Sequence, residues 1–204
     1  MSHISLKPGT LLSPVPAALI TSGAETDGEI RTNVMTAAWV GTVCSDPPMV
    51  SVSIRPSRYT IELMDRSGEF FVNLTDEPLL QAADYCGVRS GREENKFETC
   101  RLTPFRVEGF RFAPALRESP VCLGCKVRSR QELGSHVMFL GEVVWMGIRE
   151  DLMAPDGGID LQKAGLLAYS HGTYSVLGNP VGFFGCSVAA PDVLKRRMDK
   201  LRGT

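Results

Sequence analysis

The sequence predicts a mainly β fold with peripheral α-helices. Thirteen prolines and 20 glycines punctuate the 204 residues, and long hydrophobic periods of 3.6 residues are few. Between residues 50 and 54 the chain alternates, with Val50, Val52 and Ile54 on one face and Ser51 and Ser53 on the other, as a half-buried strand requires. A chain of this length buries a proper core, and no internal repeat or low-complexity tract divides it.

Residues 15–22 (VPAALITS) read as a buried strand and residues 24–30 (AETDGEI) as a turn, so a hairpin is expected there. A polar loop opens at Asn33. Strands follow near residues 36–44 and 49–54, bracketing a turn at Pro47 and Pro48. A helix over residues 58–66 has Ile61 and Met64 three apart, with Ser57 a good N-cap and Gly68 a good stop. Residues 70–74 return as a strand. Thr75 or Asp76 can cap a second helix, with Pro78 in its first turn and Gly87 ending it; Leu79, Leu80, Ala83 and Cys86 form its apolar face. Cys86 thus reads as a buried small hydrophobe. The polar run of residues 87–98 (GVRSGREENKFE) reads as a solvated loop with a tight turn at Ser90 and Gly91. Residues 121–127 (VCLGCKV) and 137–146 (VMFLGEVVWM) read as strands. Residues 166–178 carry Tyr169, His171 and Tyr174, which make either a barrel seam or a wall over a flat ring. An amphipathic helix over residues 192–201 sets Leu194, Met198 and Leu201 against Lys195, Arg196, Arg197 and Lys200, and is expected to pack on the barrel or on a partner subunit.

The formal net charge of −1, from 22 Lys and Arg against 23 Asp and Glu, gives no field for nucleic acid or an anionic membrane. No apolar run reaches the roughly 18 residues of a membrane span. The start, MSHISLKPG, lacks a basic region followed by an apolar one, so a cytoplasmic location and reduced thiols are expected for the six cysteines. Cys122 and Cys125 form one CxxC pair without a second pair or a paired histidine site to complete a zinc tetrahedron, and their strand-like setting is unlike a redox motif at a helix start. No metal site is expected. Nor does the chain offer a catalytic triad, a paired-carboxylate site or a Walker-type loop. The junction at Pro56, Ser57 and Arg58 has two readings. A strand delivering serines and arginines to a helix start suits a phosphate; the same residues also serve as an ordinary cap.

The ordered set Asn33, Met35, Thr36, Trp39, Pro47, Pro48, Ser51, Ser53, Arg55, Arg58, Thr60 and Phe70 to Asn73 resembles the flavin reductase-like family, in its flavoredoxin branch. The resemblance continues through Ser90, Gly91, Lys96, Phe97, the run Cys125 to Val127, His136, Gly141, Val143, Tyr169, Tyr174 and Gly178, and so covers nearly the whole chain. It implies an FMN-binding split β-barrel of Greek-key type that works as a homodimer. On that basis residues 1–12 are a flexible segment, residues 13–190 the barrel domain and residues 191–204 a C-terminal amphipathic helix.

The resemblance also implies the site. Thr36, Ala37, Ala38 and Trp39 line the flavin ring edge; Ser51, Ser53, Arg55, Ser57, Arg58 and Thr60 hold the ribityl chain and phosphate; Asn33 belongs to the loop that opens the site and Asn73 fixes the neighbouring one. Ser90 and Lys96 lie near the flavin, Lys96 reaching phosphate or ring across the dimer interface, and His136 stands beside flavin or nicotinamide. Asn95 stands where the family often has Asp, and Asn179 where it usually has Glu, so the role of that glutamate does not transfer. With no catalytic residue assigned, the flavin N5 carries the chemistry and the protein holds and tunes it. The implied function is electron transfer through bound FMN, with a redox partner protein, NADH or NADPH as donor. The alternatives are an NAD(P)H-dependent reductase that releases reduced FMN, a non-catalytic flavin-binding protein, and an enzyme using the pocket without flavin.

Overall fold

A computed structural model describes residues 1–202, the last of them by its backbone only. Residues 1–12 are exposed and carry no regular secondary structure. The strands are β1 (Val15–Pro16), β2 (Ala18–Thr26), β3 (Glu29–Ala37), β4 (Val40–Ser45), β5 (Pro48–Ile54), β6 (Glu69–Leu74), β7 (Pro104–Phe105), β8 (Ala115–Leu116), β9 (Val121–Glu132), β10 (Val137–Ile148), β11 (Leu167–Ser170) and β12 (Thr173–Val176). The helices are α1 (Tyr59–Ser67), α2 (Leu80–Val88), α3 (Lys96–Thr99) and α4 (Pro191–Arg202).

The predicted first hairpin forms, with a tighter turn than expected. β2 runs on to Thr26 and only Asp27 and Gly28 reverse the chain, both at positive φ (53° and 79°), the conformation an Asp-Gly pair adopts readily. β3 then carries Asn33, Val34 and Met35 as buried strand residues where a polar loop was expected. The strand expected over residues 36–44 is two strands. β3 pairs with β2 as far as Ala37, and β4 pairs with β5 from Val40.

Seven strands make one sheet in the order β3-β2-β6-β9-β10-β5-β4. Its two outermost strands are consecutive in the chain, with only Ala38 and Trp39 between them. The sheet therefore has to curl until its edges meet, and the inward residues Ile20, Met35, Val52, Ile54, Phe70 and Phe139 become one core. Phe70, Phe71 and Phe139 are fully buried, each worth roughly 1.5–3 kcal/mol of transfer free energy. At Gly141 on β10 an added Cβ would stand 2.4 Å from the Phe70 ring, so the glycine is the space that ring occupies.

α1 covers one side of this core with Ile61 and Met64 and ends as expected at Gly68, whose φ of 67° lets its N–H reach the Met64 carbonyl at 2.8 Å. Its N-cap is Arg58, not Ser57, and no side chain caps it. On the outer face, α2 and α3 pack Leu79, Ala82, Cys86 and Phe97 against Leu19 and Val34. Asp76 caps the single turn that holds Pro78, as expected, but α2 continues through Gly87 to Val88. The segment expected to be a solvated loop instead buries Lys96 and Phe97, and Asn95 caps α3 by accepting from the Phe97 N–H at 3.2 Å. Cys122 and Cys125 fall on opposite faces of β9, in separate apolar clusters, so the CxxC spacing does not make a pair. α4 leaves Leu194 and Leu201 exposed and Met198 half-buried, so its apolar stripe is only partly covered within the chain. Residues 203–204 of the expected C-terminal segment lie outside the described residues.

Glu69, at the start of β6, holds the long connection between β7 and β8. Its carboxylate accepts from the backbone N–H groups of Arg111, Phe112 and Ala113 at 3.2, 2.8 and 3.2 Å, and from the Lys126 ammonium at 2.7 Å. Burial works to raise its pKa, but the Lys126 ammonium and the three N–H groups outweigh it and hold the carboxyl below its ordinary value. A carboxyl depressed in the folded state stabilises fully above its unfolded pKa, and that stabilisation disappears as pH falls through the folded value. Glu69→Gln is therefore expected to lower stability by about 1.5–3 kcal/mol at pH 7. Urea unfolding at pH 7 and in steps below pH 4.5 checks it. The gap between the two proteins should shrink on acidification, and a constant gap removes the assignment.

Candidate functional site

Where the chain leaves β2 for β5, a cavity of about 450 Å³ opens, within the range of small-molecule sites. The strand switch creates it. Ala37 still pairs with Ala18, while the Trp39 carbonyl already accepts from the Ser53 N–H at 2.9 Å. Between the two ladders the N–H and carbonyl of Ala38 have no backbone partner among the described residues, which leaves them for a ligand at the cavity wall.

The start of α1 supplies the cationic end. Arg55 and Arg58 both line the cavity. Arg58 donates to the Gly87 carbonyl at 2.5 Å, whereas the Arg55 guanidinium has no hydrogen bond or ion pair among the described residues. No side chain caps α1; the Ile61 N–H turns back to the Arg58 carbonyl at 3.2 Å, while the N–H groups of Tyr59 and Thr60 have no backbone partner among the described residues and add a partial positive charge beside the two arginines. The Thr36 hydroxyl donates to the Ala83 carbonyl, so β3, α1 and α2 are tied together around this corner.

Aromatic groups form the opposite walls. Trp39, 42% exposed, lies nearly parallel to His136, with ring centroids 6.3 Å apart and planes 11° apart. The Ser135 hydroxyl pairs with His136 Nδ1 at 2.9 Å and fixes that ring. The hairpin β11–β12 sets Tyr169 opposite Tyr174, rings 5.3 Å apart, and is docked on β1 through the Val15–Tyr169 pairing. Both tyrosines line the cavity, so they are a wall over it. The Tyr174 hydroxyl donates to Asp84 on α2 at 3.3 Å; burial, followed by the Asp84 charge, pushes the phenol up to about 12, so it stays protonated at neutral pH.

Of the residues the sequence singled out, Thr36, Ala37, Ala38, Trp39, Ser53, Arg55, Arg58 and His136 come together around this cavity. Others lie outside its lining. Asn33 and Thr60 are buried and bond each other, Nδ2 to Oγ1 at 2.8 Å. Asn73 is fully buried and ties three strands together, donating to the Leu19 carbonyl at 2.8 Å and accepting from the Leu116 N–H at 3.1 Å. Ser51 faces the Gly41 carbonyl, Ser57 sits in an exposed turn, and the Ser90 hydroxyl accepts from the Arg92 N–H at 3.3 Å.

Lys96 departs furthest from expectation. It is 3% exposed, and its ammonium donates to the carbonyls of Cys86 and Arg89 at 3.4 and 3.1 Å, so it caps the end of α2 inside its own chain. Burial lowers its pKa from the ordinary lysine value. Asp84, Gly87 and Val88 were not singled out, because they lie on or beyond the polar side of a helix read only for its apolar face; the tyrosine-bearing hairpin gave the one sequence signal of a second wall.

The chain is similar to known proteins over most of its length. The flavoredoxin of Desulfovibrio vulgaris (Miyazaki F) superposes with a TM-score of 0.81 at 30% identity, covering 89% of this chain and 97% of that one. A flavoredoxin from Methanosarcina acetivorans superposes with the same TM-score at 27% identity, over 93% and 100% of the two chains. A Streptomyces nodosus subsp. asukaensis protein named as an NADH-dependent FMN reductase, AsuE2, is 29% identical over 171 residues, 83% of this chain and 82% of its own. The family model for the flavin reductase like domain matches residues 11–178. That span contains the barrel, the strand switch and both walls of the cavity, and this chain belongs to the flavin reductase-like family.

Proposed function

We propose that the cavity binds FMN and that the protein transfers electrons through it as a flavoredoxin-like carrier. The observation that carries the reading is that Arg55 and Arg58, which lead into a helix start with no side-chain cap, line the same cavity as the stacked Trp39 and His136. One end suits a single phosphate and the other suits a flat ring. The residues present fit the group. An unpartnered guanidinium and open helix N–H groups match a phosphate, and the loose backbone at Ala38 matches the edge of a ring that both donates and accepts hydrogen bonds.

The chemistry supplied by bound FMN is hydride acceptance and one-electron exchange, which no side chain of the cavity offers. The chain's own groups bind and orient. Arg55 and the α1 N-terminus hold the phosphate, and Arg58 adds its charge while fixing Gly87. The backbone of Thr36 to Trp39 contacts the ring edge, and Tyr169 and Tyr174 limit water on the far side. Reducing equivalents come from a redox partner protein or from NADH or NADPH. The likeness to AsuE2, named for its NADH dependence, favours a second reading, a reductase that releases reduced FMN.

We further propose a homodimer in the cytoplasm. Val144 and Met146 on β10 and Val181, Phe184 and Val188 before α4 are exposed apolar side chains of the kind that a second copy would cover. No helix among the described residues is long and apolar enough to cross a membrane. Sedimentation at micromolar concentration is expected to give twice the mass of one chain; a monomer with FMN bound contradicts the dimer.

Purified protein is expected to be yellow and to release FMN, not FAD, on denaturation. Arg55→Ala is expected to weaken FMN binding about ten- to hundred-fold by loss of a charge-assisted hydrogen bond, whereas Lys195→Ala on the exposed face of α4 leaves it unchanged. Arg58→Ala should also weaken binding more than Lys195→Ala, together with a lower Tm from loss of the Gly87 contact. Equal affinities in the Arg55 and Lys195 variants would remove the phosphate assignment.

A carrier is expected to keep FMN through gel filtration and to show little turnover of added free flavin with NADH or NADPH. Rapid NAD(P)H-dependent reduction of excess FMN, hyperbolic in its concentration, would replace the carrier reading with the reductase one.

A further inference from the structure

Beneath the flavin cavity, on the other side of α2, two thiols touch. Cys86 Sγ and Cys100 Sγ are 3.9 Å apart, the first fully buried on the apolar face of α2 and the second at the end of α3. Fourteen positions separate them in sequence, with no motif to announce the contact. Cys100 also lines a separate surface cavity of about 430 Å³, together with Leu79, Gln81, Arg101 and Glu118. One sulfur is therefore reachable from solvent and the other waits directly behind it. That is the arrangement of an attacking thiol and a resolving thiol.

We propose that Cys100 and Cys86 are a peroxide-oxidisable pair, Cys100 being the site of first attack and Cys86 closing an intramolecular disulfide. The inference is independent of the flavin reading. Cys100 as thiolate attacks one oxygen of hydrogen peroxide; the S–O bond forms, the O–O bond breaks, and the departing hydroxide takes up a proton to leave as water. Cys86 sulfur then attacks Cys100 sulfur; the S–S bond forms, the S–O bond breaks, and a second water carries off the Cys86 proton. Two thiols lose two hydrogens and one peroxide becomes two waters.

The surroundings assign the order of the two sulfurs. Burial first, with the contact with Cys100 and the neighbouring Glu94 acting in the same direction and Lys96 opposing, pushes the Cys86 thiol up to about 12. Burial raises Cys100 as well and Glu94 acts in the same direction, but there the S–H donated by Cys86 and the Lys96 charge both favour the thiolate. Cys100 ionises first and is the one that an oxidant reaches. With both thiols raised, the reaction is slow beside that of a dedicated peroxidase, and the pair responds to sustained exposure.

The test uses the full chain exposed to hydrogen peroxide, then denatured, alkylated and mapped after trypsin, which cuts between the two cysteines at Arg89, Arg92 and Lys96. The expected result is that two of the six thiols escape alkylation and appear as one cross-linked pair of peptides joining Cys86 to Cys100, restored by dithiothreitol. In Cys86→Ser, dimedone is expected to capture Cys100 as the sulfenic acid. The proposal is overturned if all six thiols of the unaltered chain remain alkylatable, if the cross-link joins another pair, or if Cys100 gains oxygen without a cross-link forming.

Discussion

Closure of the sheet by a single passage of chain is the constraint on which the molecule rests. β3 and β4 are the two edges of a seven-stranded sheet, yet only Ala38 and Trp39 separate them. The three steps from Ala37 to Val40 span at most about 11 Å, so the edges have to meet, and a flat or open sheet is ruled out. The inward residues then form one continuous core. The same crossing leaves the backbone at Ala38 outside both ladders. Barrel closure and site formation are thus one event.

A second constraint acts at the end of α2. The helix terminates beside the cavity, where its last carbonyls concentrate partial negative charge. Lys96 answers the Cys86 and Arg89 carbonyls from behind, and Arg58 answers the Gly87 carbonyl from the cavity side. Two cations thereby fasten α2 to α1 and α3. This explains why α2 runs through a glycine where the sequence predicted a stop.

Much of the fold was legible because it is written in local pattern. The first hairpin, the alternation in β5, the Gly68 stop and, apart from the half-buried Leu80, the apolar face of α2 each rest on neighbouring residues, and each was found. What the pattern could not carry was the division of polar residues between structure and site. Asn33, Thr60, Asn73 and Lys96 look like ligands in one dimension because they are polar and follow the family order. In the folded chain they meet partners 27, 54 and 10 positions away, as in the bonds of Asn33 to Thr60, Asn73 to Leu19 and Lys96 to Cys86. Burial of a polar group requires such a partner, and sequence spacing gives no hint of it. Arg55 and Arg58 show the reverse: adjacent in the motif, they differ in that one is tied to Gly87 and the other has no partner among the described residues.

The hairpin that walls the cavity is built apart from the barrel. β11 and β12 belong to a three-stranded sheet whose third member, β1, is two residues long, and that short ladder, with the Asp76–Leu166 bridge, docks them. Every other wall is part of the closed sheet or of a helix fastened to it. A relative could therefore lengthen, shorten or re-sequence this hairpin without disturbing barrel closure, changing which molecule enters the cavity while the arginine-bearing end stays fixed. One barrel can in this way admit different molecules, its diversification concentrated between Leu167 and Val176 at the rim.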